Sequence, residues 1–330
     1  MAIISALASV TIGLGVSLLI FWLLNWAVGR APGRWRPRLI PYVFLAPGIV
    51  LVAVFLLYPT IRTIIESFTK ASQRRGEGAS FVGLDNYIDL FSSPSFLGTL
   101  VNNLLWVLVV PAVAVIVGLI VAALTDRLGR RRESTFKAMI FLPMAISGVA
   151  AAATWRFVYD YEAPGLPQTG ILNALWTAGG ADPVPWMTVD AGRLNSFLLM
   201  VIAIWLQVGF AMVLLSGAIK GVPEETIEAG RLDGASERRI FLTIIAPQIR
   251  GTILAVFVTI VIFVMKIFDI IYAMTGGQYN TSVLAVEFYN QMFSFQNPGK
   301  AAAVVVVLMI AIVPLIVYQI RSYKAQEELR

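Results

Sequence analysis

EETIEAGRLDGASERRIFLTIIAP, residues 224–247, is a charged, glycine-punctuated segment set between two long apolar runs, 195–218 and 252–274. Pro223 suits the first position of a helix, and Glu224, Glu225 and Glu228 then set negative charge against its positive N-terminal dipole. The helix is expected over 223–232, with Gly234 as terminator. Ser236 caps a second helix that carries Ile240, Phe241, Ile244 and Ile245 toward Pro247. The expectation is helix, tight turn, helix, along the membrane surface. The first helix is too polar to insert and too short to be stable alone, so it needs something to hold it. Such a segment reads as a docking surface.

Outward from this loop the chain is apolar. Runs long enough to cross a hydrocarbon core of about 30 Å lie at 3–28, 39–59, 97–124, 136–158, 195–218, 252–274 and 301–320. The first run lacks a basic n-region, is too long for a signal peptide and is followed by the basic segment 30–38, so it reads as a retained helix. The connections 29–38, 125–137 and 217–251, with the tail from Arg321, hold 17 of the 25 Lys and Arg. By the positive-inside rule the central loop and C-terminus face the cytoplasm, and the N-terminus and the loops 62–96, 159–194 and 275–300 lie outside. The outer loops, such as YDYEAPGLP (159–167) and ADPVPW (181–186), carry turn residues and boundary aromatics.

Composition narrows the chemistry. Hydrophobic residues make up 58% of the 330 and charged residues 13%, against roughly 25% charge in soluble domains. The chain has no Cys and no His, which removes thiol nucleophiles, imidazole bases, disulfides and the usual transition-metal ligand sets. The net charge of +6 comes from residues flanking apolar runs, which fits topology control and not nucleic-acid binding. No G-x-x-x-x-G-K-[ST] phosphate loop occurs, so ATP is expected to be hydrolysed on another subunit.

The loop resembles the cytoplasmic "EAA" loop of permease subunits of bacterial ATP-binding-cassette (ABC) importers. Glu228, Ala229, Asp233, Gly234, Ala235, Phe241, Ile244 and Pro247 match that pattern in order and spacing, while Gly230 replaces its second Ala and Gly251 a later Pro. FDIIYAMTGGQYNTSVLAVEFYNQMF (268–293) is similar to a segment of the carbohydrate-type permeases, with Gln278 and Tyr279 departing from the usual Gly-Pro. PYVFLAPGIVLVAVFLLYP (41–59) and FVGLDNY (81–87) resemble the opening helix and outer loop of the same group.

The resemblance implies an all-α polytopic membrane protein with a six-helix type I ABC importer permease core plus one extra N-terminal transmembrane helix. It divides the chain into the extra helix (1–30), the first core helix and outer loop (31–96), the permease core (97–321) with its coupling loop (219–250), and a cytoplasmic tail (322–330). It also implies that Glu224, Glu225, Glu228, Ala229, Gly230, Asp233, Gly234 and Ala235 couple to an ATPase. Implied partners are a second homologous permease, two ATPase subunits that hold ATP and Mg, an extracytoplasmic sugar-binding protein and the lipid bilayer of a bacterial inner membrane. This chain itself would bind no cofactor and catalyse no reaction.

A pathway for a neutral polyol needs hydrogen-bonding groups and aromatic faces at membrane depth. Counting along a continuous helix from Gly251 places Lys266 roughly 22 Å and Asp269 roughly 27 Å across the core. Three apart on one face, they can neutralise each other or contact ligand. Asn102, Asn103 and Gln207 offer amides and Trp106 a flat apolar face, with helix-to-helix hydrogen bonding as the competing role. Tyr272 and Tyr279, with Asn280 and Thr281, stand where a span meets the outer loop. Gly276 and Gly277 are expected to supply turn geometry.

The substrate reading leans to maltose, α-glucoside or trehalose, with glycerol-3-phosphate sharing the same signatures. Two rivals of other classes stand beside it. An ion-driven secondary transporter would use Lys266 and Asp269 as a relay. A membrane enzyme would draw on Asp160, Glu162, Asp182 and Asp190, whose spacing is uninformative.

Overall fold

A computed structural model describes residues 2–30, 36–70 and 80–327. Parts of the basic segment 30–38 and of the tail, together with Arg74 and Arg75, lie outside the described residues. The chain divides into two compact units, Met1–Glu66 and Ser67–Arg330.

In the first unit, α1 (Ala2–Gly29) is followed by α2 (Arg36–Val52) and α3 (Tyr58–Glu66), the latter two joined by the π-helical turn Ala53–Leu57. Phe21 of α1 packs its ring 5.4 Å from that of Phe44 of α2. The π turn precedes Pro59, whose ring would crowd the carbonyl four residues back in a regular helix; widening the preceding turn relieves this.

The second unit opens with a two-stranded antiparallel ribbon, β1 (Thr69–Lys70) and β2 (Ser80–Phe81), and the short helix α4 (Asp85–Phe91). Its scaffold is α5 (Pro94–Thr125) packed along α9 (Leu194–Lys220). Between them run α6 (Arg130–Phe141), α7 (Gly148–Tyr159) and α8 (Ile171–Ala178). After α9 come α10 (Glu224–Leu232), α11 (Glu237–Ile240), α12 (Ala246–Gln248), α13 (Arg250–Met265), α14 (Asp269–Thr275), α15 (Leu284–Tyr289) and α16 (Pro298–Glu327).

Helix α5 is apolar all round, so hydropathy alone does not say which side faces in. Its buried stripe runs Asn102, Trp106, Val110, Ala114, Gly118, Ala122, while Leu104, Leu108, Ile116, Ile120 and Leu124 are exposed. Small residues set the crossing: a Cβ on Gly118 would lie 2.6 Å from that of Ala211 on α9, and one on Gly209 would lie 2.5 Å from the Ile140 carbonyl of α6. Among apolar surfaces that lipid would cover equally well, such close backbone approach drives association.

Among the described residues three helices are long and apolar enough to span a membrane, or five if each of two bent pairs counts as one. The first of these bends, and a separate break after α13, correct two of the expected straight spans. The run 136–158 breaks by 104° between Arg130–Ala145 and Gly148–Tyr159, because Pro143 cannot donate and the Ser147 side chain accepts from Ala150 N at 3.2 Å, starting a new helix. The run 252–274 stops at Met265 and restarts at Asp269.

Candidate functional site

The polar loop forms largely as its sequence dictates. Helix α10 begins at Glu224 with Pro223 just before it, one residue later than expected, and α11 is capped by the Ser236 side chain accepting from Arg239 N. Between them the chain closes a Schellman turn: Ala235 N donates to Gly230 O and Gly234 N to Arg231 O, both at 3.0 Å, with Gly234 at φ +76°. Arg231 bridges the two halves to Glu237 at 2.8 Å.

Gly230 is buried, and a Cβ there would lie 2.8 Å from Ile244 Cδ1 and 3.4 Å from Ile240 Cγ1. The close approach at Gly230 is therefore within the chain. Val222, Ile240, Ile245 and Ile249 make a small core under the loop, joined by Ile219 of α9 and Ile253 of α13. Glu224, Glu225, Glu228, Ala229, Asp233 and Gly234 stay exposed, Ala235 is half-buried, and Leu232 is 89% exposed at the tip. Beside this base lies an ion cluster: Lys137 of α6 contacts Asp126 and Glu133, each at 2.6 Å, Lys220 of α9 also pairs with Glu133, and Ser216 donates to Asp126 at 2.7 Å.

Deeper in the helices, a cavity of about 400 Å³ is lined by Gln207, Lys266 and Asp269, with Met144, Gly148, Thr259 and Phe268 among its other walls. Lys266 and Asp269 do not share one continuous helix face, and no ion pair joins them among the described residues. Lys266 ends α13 at φ −104°, ψ 12°, and Phe268 stands at φ −134°, ψ −55° before α14. Non-helical backbone at membrane depth is tolerated where it is buried in protein or lines a cavity, and this break lines one. Asp269 lies against the start of α7, where a Cβ on Gly148 would come 2.9 Å from its Cβ. The end of the α7 dipole there is positive, which suits a carboxylate. Gln207 is mostly buried, and among the described residues its amide has no hydrogen-bond partner.

The other pathway candidates are placed differently. Asn102 donates to Ser282 O at 3.0 Å and to Asn280 O, and its Oδ1 accepts from Arg193 at 2.5 Å. Asn103 Oδ1 accepts from Leu284 N at 2.7 Å, and Asn195 Nδ2 donates to Tyr279 O at 2.7 Å. These buried amides clamp the loop 276–284, and Asn102 and Asn103 bond to backbone atoms of that loop. Trp106 is fully buried in the main core and offers no open face. Tyr279, at φ +55°, belongs to the clamped loop. Tyr272 stacks on Phe268 at 4.9 Å and meets Tyr289 edge-on at 4.7 Å, which links it to the cavity wall through Phe268. The sequence reading missed Gly148 and Thr259 as cavity residues and Asn195 as a clamp; the Pro143 and Ser147 pair in LPMAISG was the available signal for the first.

Long apolar helices around a half-open cavity that carries Gln207, Lys266 and Asp269 at a helix break, with a braced polar loop at one end, define a helical membrane transport protein. The chain belongs to the family of binding-protein-dependent transport system inner membrane components, whose pattern matches residues 114–324. It is 43% identical over 334 residues to the alpha-glucoside transport system permease protein AglF of Rhizobium meliloti (strain 1021), covering 97% of each chain. It is also 43% identical to the osmoprotective compounds uptake permease protein GgtC of Synechocystis sp. (strain ATCC 27184 / PCC 6803 / Kazusa), over 87% of this chain and all of that one. The fold is similar to a chain of a bacterial ABC transporter involved in the import of the acidic polysaccharide alginate, with TM-score 0.73, 20% identity, and coverage of 88% and 97% of the two chains. The chain is thus a multi-pass translocation subunit of the ABC permease type.

Proposed function

We propose that this chain is one of two permease subunits of an ATP-driven bacterial importer for α-glucosides and related glycosides. It pairs with a second homologous permease and two ATPase subunits, which hold ATP and Mg, and it receives sugar from an extracytoplasmic binding protein. It binds no cofactor of its own. In this reading the N-terminus is outside, residues 1–30 are an added helix, and the loop 219–250 and the C-terminus are cytoplasmic.

The observation that carries the reading is the loop 224–247: its acidic and apolar tip is exposed while its base is anchored in α9 and α13. A partner pushing on α10 therefore moves the helix that ends at Lys266, in the cavity wall. The ion cluster of Asp126, Glu133, Lys137 and Lys220 extends the same motion to α6 and the α6–α7 bend. Such a cycle works only if the sugar has different affinity for the outward and inward states. The relationship to AglF supports the substrate class.

The test is uptake of radiolabelled maltose by proteoliposomes holding the whole complex and its binding protein. Asp233→Lys puts a cation on the exposed docking face and is expected to abolish uptake, with sugar binding to the binding protein unchanged. Normal uptake in that variant would end the coupling role. A second reading, glycerol-3-phosphate import, is favoured by Lys266, a cation in the cavity with no acidic partner among the described residues. Permease protein UgpA of the sn-glycerol-3-phosphate transport system of Agrobacterium fabrum (strain C58 / ATCC 33970) is 28% identical over 86% of this chain. Stimulation of ATP hydrolysis by glycerol-3-phosphate and not by maltose would select it. Uptake abolished by a protonophore at constant ATP would select ion-driven transport instead.

A further inference from the structure

A second cavity, of about 280 Å³, lies at the other ends of the two helices that meet in the first one. Helices α7 and α14 pack against each other, and their starts, Gly148 and Asp269, line the 400 Å³ cavity. Their far ends supply Arg156 and Met274 to the second, about 12 Å further along α7 at 1.5 Å per residue. Asp160, Tyr161, Trp186 and Thr188, from the loop that the charge distribution places outside, are among the rest of its wall.

The polar groups here are left unspent. Arg156 and Asp160 are four apart, the spacing at which opposite charges pair on a helix, yet no ion pair joins them among the described residues. Arg156 donates instead to the Ala273 carbonyl, one bond from a fork of five donors. Asp160 accepts from Thr169 at 2.8 Å through Oδ2, which leaves Oδ1. Trp186 is only 8% exposed, and its indole N–H is buried without a hydrogen-bond partner among the described residues. The indole N–H of Trp106 in the main core is in the same state, so the donors and the acceptor that this cavity leaves open are those of Arg156 and Asp160.

We infer that this cavity is an entry subsite that takes one hexose ring of the incoming glycoside before it reaches the inner cavity. A hydroxyl is both donor and acceptor: it accepts from the Arg156 guanidinium and donates to Asp160 Oδ1. Tyr161 and Met274 supply the apolar surface against which the carbon face of the ring rests. The volume lies at the small end of ligand sites, which suits a single ring and not a whole oligosaccharide. The inference rests on the sugar-import reading and on its topology.

The probe is maltose bearing a photoreactive diazirine, applied to the complete complex with its binding protein, with the label located by peptide mass spectrometry. The expected result is label on peptides containing Arg156, Asp160 and Tyr161 or Trp186, removed by excess maltose. Asp160→Asn, which keeps the side-chain shape and removes the carboxylate, is expected to cut that labelling at least threefold while leaving label on the peptide containing Thr259 and Lys266. Arg156→Gln serves as a second variant if the first fails to assemble, and is expected to cut the same labelling. Label confined to the inner peptide, outer label that maltose does not displace, or a cross-link there only to the binding protein would each overturn the subsite. If the unmodified complex takes up no maltose, the function reading falls; if uptake is normal and the outer peptides stay unlabelled, the subsite alone falls.

Discussion

The amides at the loop clamp and the polar groups at the α13–α14 break come from the same kind of sequence, isolated polar residues in long apolar helices, yet they end in opposite states. Asn102, Asn103 and Asn195 are buried and bonded to loop backbone atoms. Lys266 and Asp269 are exposed to a cavity and paired with nothing charged among the described residues. A buried polar group without a partner costs about 1–3 kcal/mol, so a polar residue in a span must either find a protein partner or face water. The first state makes a fastener and the second leaves hydrogen-bonding capacity open to the cavity.

The sharpest way to break this comparison is Asn102→Leu. It strands the Asn280 and Ser282 carbonyls and the Arg193 guanidinium, and a loss on the order of 3 kcal/mol or more is expected, read as a lowered melting temperature of the purified complex and poor assembly. Unchanged melting would mean that the clamp is not a fastener. Gly148→Val comes next: its Cβ would press on Asp269, so α7 and α14 must separate, and uptake is expected to fall by about tenfold or more with a smaller effect on melting. Lys266→Met removes a group with no ion pair among the described residues, so melting is expected to hold within about 0.5 kcal/mol. Uptake should drop by about tenfold if the ammonium contacts cargo in transit, the low end of one charge-assisted hydrogen bond.

The smallest effect is expected at Asp89, paired with Lys300 at 2.9 Å on the surface. The hydrogen bond from Lys300 and its charge hold the Asp89 carboxyl below its ordinary range. A lowered folded-state pKa gives stability that is present at neutral pH and fades on acidification below about pH 4. Asp89→Asn should therefore leave uptake unchanged and flatten only that acid limb of the melting profile.

The local devices were legible because their causes are local. Glutamates at a helix start, a glycine at a left-handed turn and a serine cap act within four or five residues, and α10, Gly234 and Ser236 follow from them. The breaks at 145–148 and 266–268 were hidden, since a hydropathy window sums apolar residues without regard to where the backbone turns. Partner choice was hidden for a related reason: Asn102 meets Ser282 across 180 positions of sequence.

The sequence by itself determined a polytopic helical membrane protein, the polar loop and its internal turn, because hydrophobicity, charge asymmetry and capping are additive local properties. Only the tertiary structure decided that Gly230 packs on Ile244 of its own chain, that Asn102 fastens a loop, and that Gln207, Lys266 and Asp269 share one cavity. Those outcomes depend on which apolar face turns inward, and helices apolar on every side leave that choice to close packing between them.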